Sequence, residues 1–150
     1  MSKYPKQDKE IVICTADGSV MTGMVNIAGR SISSYMQDSE PDVIIYDVRV
    51  ADQSRFKTLM VTKRQIVWIS VTDEIEREQY GIWQKLAFKV NTGNTITGDI
   101  DITGYDRISD YVQRYNNRFH EVFDCIIDEE PRNNLIFVSR HLTVWKEPVG

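Results

Sequence analysis

At 150 residues, with 41% hydrophobic and 27% charged side chains, the chain has the make-up of one ordinary globular domain or two small ones. A formal net charge of −4 argues against a protein devoted to holding a phosphate backbone, which normally carries a basic face. No apolar run approaches the roughly 18 residues needed to span a bilayer, so no membrane association is expected.

Residues 1–9 read as a polar arm with no apolar stretch of the kind a secretory signal needs, and a cytoplasmic location is expected. From Ile11 the alternation with Ile13 predicts a half-buried strand. Asp17-Gly18 then marks a hairpin turn, since both residue types tolerate positive φ. A second strand, Val20 to Ile27, carries Gly23 in its interior, where glycine marks a bulge, a bend or a close backbone approach. Ser31 to about Glu40 is predicted helical, with Ile32, Tyr35 and Met36 on one face and Pro41 as a stop. Strands follow from Val43 to about Val50 and from Thr58 to about Val71. The last has an expected break at the basic pair Lys63-Arg64.

Asp73 to Gln79 reads as a short helix, and Tyr80 to Trp83 as the crossing into a second set of elements. That set has a strand from Leu86, a turn at Thr92-Gly93-Asn94, and a strand Thr95–Ile102 holding Gly98. A helix runs from Asp106, a plausible N-cap, to about Tyr115, with Ile108, Tyr111 and Val112 facing inward. Strands from Phe119 to about Ile127 and from Leu135 to Trp145 complete it, with a break expected at Arg140-His141.

The two sets match residue for residue. Ile11–Gly29 lies over Leu86–Gly104 without a gap, aligning Gly18 with Gly93, Gly23 with Gly98 and Gly29 with Gly104. Ile32-Ser-Ser-Tyr answers Ile108-Ser-Asp-Tyr, Tyr46-Asp47 answers Phe123-Asp124, Val61-Thr62-Lys63 answers Val138-Ser139-Arg140, and Trp68 falls on Trp145. Two copies at a spacing of roughly 75–77 residues mean a domain duplication, since solenoid repeats are shorter and more numerous. The expected fold is mainly β with short helices: two tandem small β-barrels of the β-β-α-β-β(β) type related by internal duplication. The copies occupy residues 10–72 and 85–147, joined by a helical linker at 73–84. Each copy has roughly 60 residues, near the lower limit for an adequate core, so the halves are expected to share an interface.

A turn glycine at Gly18, a glycine at Gly23 inside the second strand, and the run Leu59-Met-Val-Thr-Lys-Arg-Gln-Ile-Val-Trp-Ile69 together resemble the Sm-like small-barrel family; other SH3-like barrels fit nearly as well. The resemblance implies a small-barrel architecture and assembly through strand edges. It does not extend to RNA contacts. The family's aspartate and asparagine after the second strand are replaced by Gly29 and Ser33, and by Gly104 and Ile108. Its second-motif arginine falls on Thr62 and Ser139, and the following glycine on Lys63 and Arg140.

No catalytic motif is present in the sequence, and neither a metal nor a cofactor is expected. Asp99 and Asp101 alternate with Ile100 and Ile102, which strand geometry explains without calcium. Arg114 and Arg118 have the arginine spacing of PilZ barrels, but the companion motif is missing. His120 and His141 are expected at the surface or core edge, and Asp47 and Asp124 in repeated turn or strand-end hydrogen bonds. Cys14 and Cys125 fall at unrelated places in the repeat and read as reduced thiols. The best binding candidates are Lys63, Arg64, Arg140 and His141, because equivalent turns could place them on one rim. Trp68 and Trp145 are candidate interface aromatics.

The expected function is a non-enzymatic interaction or assembly module, with a protein partner and a homo-oligomer both plausible. The alternatives are an RNA-binding regulator using the basic turns, which the acidic net charge disfavours, and an enzyme of a class with no motif here.

Overall fold

A computed structural model describes residues 8–72, 77, 79–128, 130–131 and 135–146. It is mainly β. The strands are β1 (Asp8–Thr15), β2 (Val20–Asn26), β3 (Asp42–Val50), β4 (Arg55–Thr62), β5 (Ile66–Val71), β6 (Trp83–Val90), β7 (Thr95–Asp101), β8 (Phe119–Ile127), β9 (Glu130–Pro131), β10 (Leu135–Ser139) and β11 (Thr143–Lys146). Two short helices, α1 (Ile32–Gln37) and α2 (Ile108–Arg114), follow β2 and β7. The predicted linker helix falls mostly on residues outside the described set, and β6 already takes in Trp83 and Gln84.

Among the described residues, all eleven strands join in one antiparallel sheet that does not close. Its hydrogen-bonded path runs β11-β6-β7-β8-β10-β5-β1-β2-β3-β4, with β9 attached to β8. The order β5-β1-β2-β3-β4 and the order β11-β6-β7-β8-β10 present corresponding elements in the same sequence. The pairing of β10 with β5 joins them, in the register Leu135↔Val71 to Val138↔Trp68. Backbone turns correspond as well. Thr15 N donates to Ser19 O as Val90 N does to Asn94 O, Ala16 N to Gln65 O as Asn91 N to Leu142 O, and Lys63 N to Pro41 O as Arg140 N to Arg118 O.

Alternation sorts the strand residues between two cores. Ile11, Ile13, Met21, Val25, Val43, Ile45, Ile69 and Val71 fill the first; Leu86, Phe88, Ile96, Ile100, Val122 and Ile127 fill the second. Strand β10 serves both, because successive side chains leave a strand on opposite faces. Leu135 and Phe137 enter the first core while Ile136 and Val138 enter the second. Each such fully buried aliphatic or aromatic side chain is worth about 1.5–3 kcal/mol, so β10 couples the two halves through packing as well as through its ladder.

Gly23 and Gly98 sit at register shifts between β2 and β3 and between β7 and β8. A Cβ at Gly98 would lie 2.6 Å from Val122 Cγ1 and 2.7 Å from the Phe123 carbonyl oxygen; one at Gly23 would run into Ile45 Cγ2 and approach the Tyr46 carbonyl. Here glycine lets one backbone approach another. Gly98→Ala is therefore expected to lower stability by about 2 kcal/mol through overpacking against an immovable carbonyl. Urea unfolding measures this, and a loss below about 0.5 kcal/mol would contradict the close-approach reading.

Gly18 and Gly93 occupy turns at positive φ, +88° and +97°. The Asp17 side chain closes the first by accepting from Thr15 Oγ1 (2.6 Å) and Ser19 N (3.0 Å). Two expectations are corrected. Asp106 is not the cap of α2; Arg107 holds that place and makes no side-chain cap bond, whereas Ser31 caps α1 by accepting from Ser34 N. Asp47 and Asp124 lie inside β3 and β8 rather than at strand ends, at φ of 50° and 51°. Aspartate tolerates that left-handed conformation better than most residues.

Candidate functional site

The turns after β4 and β10 bring three of the four predicted basic residues together. Arg64, Arg140 and His141 line one cleft of about 480 Å³ with Gln37, Asp38, Ser39, Asn116, Asn117 and Arg118. The register of the β10–β5 junction explains the meeting: it sets the two turns side by side, and a His141 ring nitrogen lies 3.0 Å from the Arg64 carbonyl oxygen. Arg140 Nε donates to the Asn117 carbonyl at 3.1 Å, tying the turn to the end of α2. The sequence reading left Arg118 out of the patch. Its arrival was signalled by the match of Lys63-to-Pro41 with Arg140-to-Arg118, legible only once backbone pairing is known.

Lys63 does not join them. It is 1% exposed, and its ammonium donates to Asp38 Oδ1 at 2.7 Å and to the Asp38 carbonyl at 3.4 Å. The other carboxylate oxygen of Asp38 takes Arg30 at 2.9 Å. Burial alone would raise the Asp38 carboxyl, but hydrogen bonds from Lys63 and Arg30 outweigh it and hold it below its ordinary value. Lys63 is therefore a structural cation that fixes the turn to the end of α1.

A second cleft, of about 470 Å³, opens between α1 and β8 and is lined by Ser33, Trp83, Asp101, Tyr111, Tyr115 and Glu121 among others. Its polar groups are engaged across the two halves. Ser33 Oγ donates to Glu121 Oε2 at 2.7 Å. Gln37 Nε2 donates to the Phe119 carbonyl at 2.8 Å, while Phe119 N donates to Gln37 Oε1 at 3.2 Å. The pattern is that of a docking network, with α1 bonded to the backbone of β8.

Behind this cleft lies His120, which is 4% exposed and so belongs to the core, not its edge. Tyr111 Oη lies 2.9 Å from its Nδ1, and the Tyr115 ring stacks on it at 4.9 Å. Burial, helped by the nearby positive charge of Arg140, lowers the imidazole pKa to about 4. Burial likewise raises Tyr115 to about 12 and Tyr111 further still. Tyr111 Oη and the neutral imidazole share one hydrogen bond, whose direction follows the tautomer of His120.

Trp68 lies in β5, partly buried against the second core, and its buried indole N–H has no hydrogen-bond partner among the described residues. Trp145 pairs through its backbone with Phe88. Cys14 and Cys125 are both buried free thiols, and burial raises Cys125 to about 12. Among the described residues no cluster could hold a metal ion, and no helix is long and apolar enough to cross a membrane. Searches against protein-family models, curated proteins and solved structures return no match for this chain.

Proposed function

We propose that the chain is a tandem duplication of one small Sm-like or SH3-like β module whose role is assembly, with docking through strand edges and no reaction of its own. The observation that carries this reading is the β10–β5 junction, in which an edge strand of one half is completed by the edge strand of the other. The repeated strand order, the paired glycine bends and the matched turn hydrogen bonds support a common origin for the two halves. The buried free thiols support a reducing, cytoplasmic setting. Light-scattering mass, with identification of anything that co-purifies, tests the reading. A single chain with no partner at any concentration would count against it.

The cleft of Arg64, Arg118, Arg140 and His141 favours a second reading, binding of an RNA backbone. Fluorescence anisotropy with generic single-stranded RNA separates the two. RNA binding predicts affinity that falls steeply with salt and drops about tenfold in the Arg64→Ala/Arg118→Ala double variant. The assembly reading predicts affinity too weak for either change to matter.

A further inference from the structure

Strand β10 and strand β4 hold the same place in the two halves, yet their surroundings differ. In β10 all five residues, Leu135 to Ser139, are buried, because β8 flanks one side and β5 the other. In β4 the matching stretch Thr58–Thr62 pairs, among the described residues, only with β3, and of it only Val61 is buried. At the opposite end of the sheet β11 matches β5, but among the described residues it pairs only with β6. Among the described residues the chain therefore makes one junction internally and leaves one copy of each half of that junction at the two ends of the sheet.

We infer that these ends are complementary, and that β4 of one molecule pairs antiparallel with β11 of a second copy, repeating the β10–β5 junction between chains. This rests on the assembly reading above and names its partner. Transposing the internal register by the repeat spacing turns Phe137↔Ile69 into Met60↔Lys146 and Val138↔Trp68 into Val61↔Trp145. The surface beside this edge is apolar. Met60 is 64% exposed, its cross-strand neighbour Ile44 is 43% exposed, and Tyr46 lies exposed next along β3. A free backbone edge flanked by exposed apolar side chains is a template for strand addition. The charges that commonly guard such edges, Arg55 and Lys57, lie at the far end of β4, outside the transposed register. Because the two surfaces differ, the contact is head-to-tail: it propagates, closing into a ring where the rotation per copy permits and extending where it does not.

The test combines mass with cross-linking. One chain carries Met60→Cys and another Lys146→Cys; mixed and oxidised, they are expected to give a disulfide between the two chain types, while Met60→Cys alone and the unaltered protein give none. Met60→Lys puts a like charge opposite position 146 and is expected to weaken self-association about tenfold, whereas Met60→Glu retains it. Met60 is exposed, so the changes at that position leave the fold intact, and circular dichroism checks every variant, Lys146→Cys included. Self-association that ignores both charges, or a Met60→Cys chain that cross-links to itself, overturns the head-to-tail pairing but leaves the assembly reading standing. A single-chain mass throughout also overturns the pairing; the assembly reading then survives only if a different protein co-purifies.

Discussion

Asp38→Ala is expected to destabilise the protein by about 3–5 kcal/mol, because it leaves the Lys63 ammonium buried without its counter-charge. Dropping one member of a buried pair costs far more than the pair contributes, since the remaining ion has lost water and gains nothing in exchange. Lys63→Met keeps the apolar stem and removes the charge, so it is expected to cost about 1 kcal/mol or less. The double variant should recover most of the loss from Asp38→Ala, and that recovery is the diagnostic part. Urea unfolding of the four proteins measures the coupling. Asp38 also accepts from Glu40 N at 3.1 Å, a turn bond lost in both Asp38→Ala proteins, so full recovery is not expected. If Asp38→Ala loses less than about 1 kcal/mol, the lysine has reached solvent and the turn after β4 is looser than its burial implies.

The same pair shows where sequence reading stops. Lys63 and Arg140 are aligned in the sequence comparison of the two halves, and by composition both turns look like solvated basic spots. Their fates part because α1 ends in Asp38, whereas the matching place at the end of α2 holds Arg114. A carboxylate draws Lys63 inward. With none at the corresponding place, Arg140 turns to the Asn117 carbonyl at the cleft. Reading each basic pair together with the helix end packed against it, rather than alone, would have separated them.

Other features were legible for reasons tied to short range. Ile11 and Ile13, Gly18 in its turn, and the break after Thr62 depend on local period and backbone freedom, which a few residues encode. Gly98 was readable as a bend, though not as the place where a Cβ meets the Phe123 carbonyl. The continuous sheet was not readable, because the apolar run in β10 shows that the strand is covered without saying which strand covers it. Its five consecutive buried residues, Leu-Ile-Phe-Val-Ser, set against Thr-Leu-Met-Val-Thr in β4, are the trace that the pairing leaves in composition. A strand buried on both faces loses its alternation, and that signal separates an interior strand from an edge.

The second large effect is expected in acid. The folded-state pKa of His120, about 4, lies below the ordinary unfolded value of about 6.5. Above pH 6.5 both states hold a neutral imidazole, and His120 adds no pH dependence. Between 6.5 and 4 the unfolded chain takes up a proton that the folded protein resists, so stability falls as pH falls, by about 1.4 kcal/mol per pH unit. The total is about 3 kcal/mol, reached near pH 4 and constant below it. Asp17, Asp38, Asp52 and Asp101 all have carboxyl pKa values lowered in the fold, so their contributions disappear at still lower pH and extend the acid loss. The window from 6 to 4.5 therefore belongs mainly to His120. His120→Gln keeps a hydrogen-bond partner for Tyr111 and removes the titration, so its stability should change little from pH 7 to 4.5, while the parent protein loses about 2–3 kcal/mol. Urea midpoints at the two pH values decide it, and an equally steep fall in His120→Gln would remove the histidine from the account. Because His120 pairs with Val138 in β10, one strand from the β10–β5 joint, the protonated imidazole would strain the strand that holds the two halves together. Acid should then loosen the link between the halves before it unfolds either core, and amide exchange at Phe137 and Val138 would rise first.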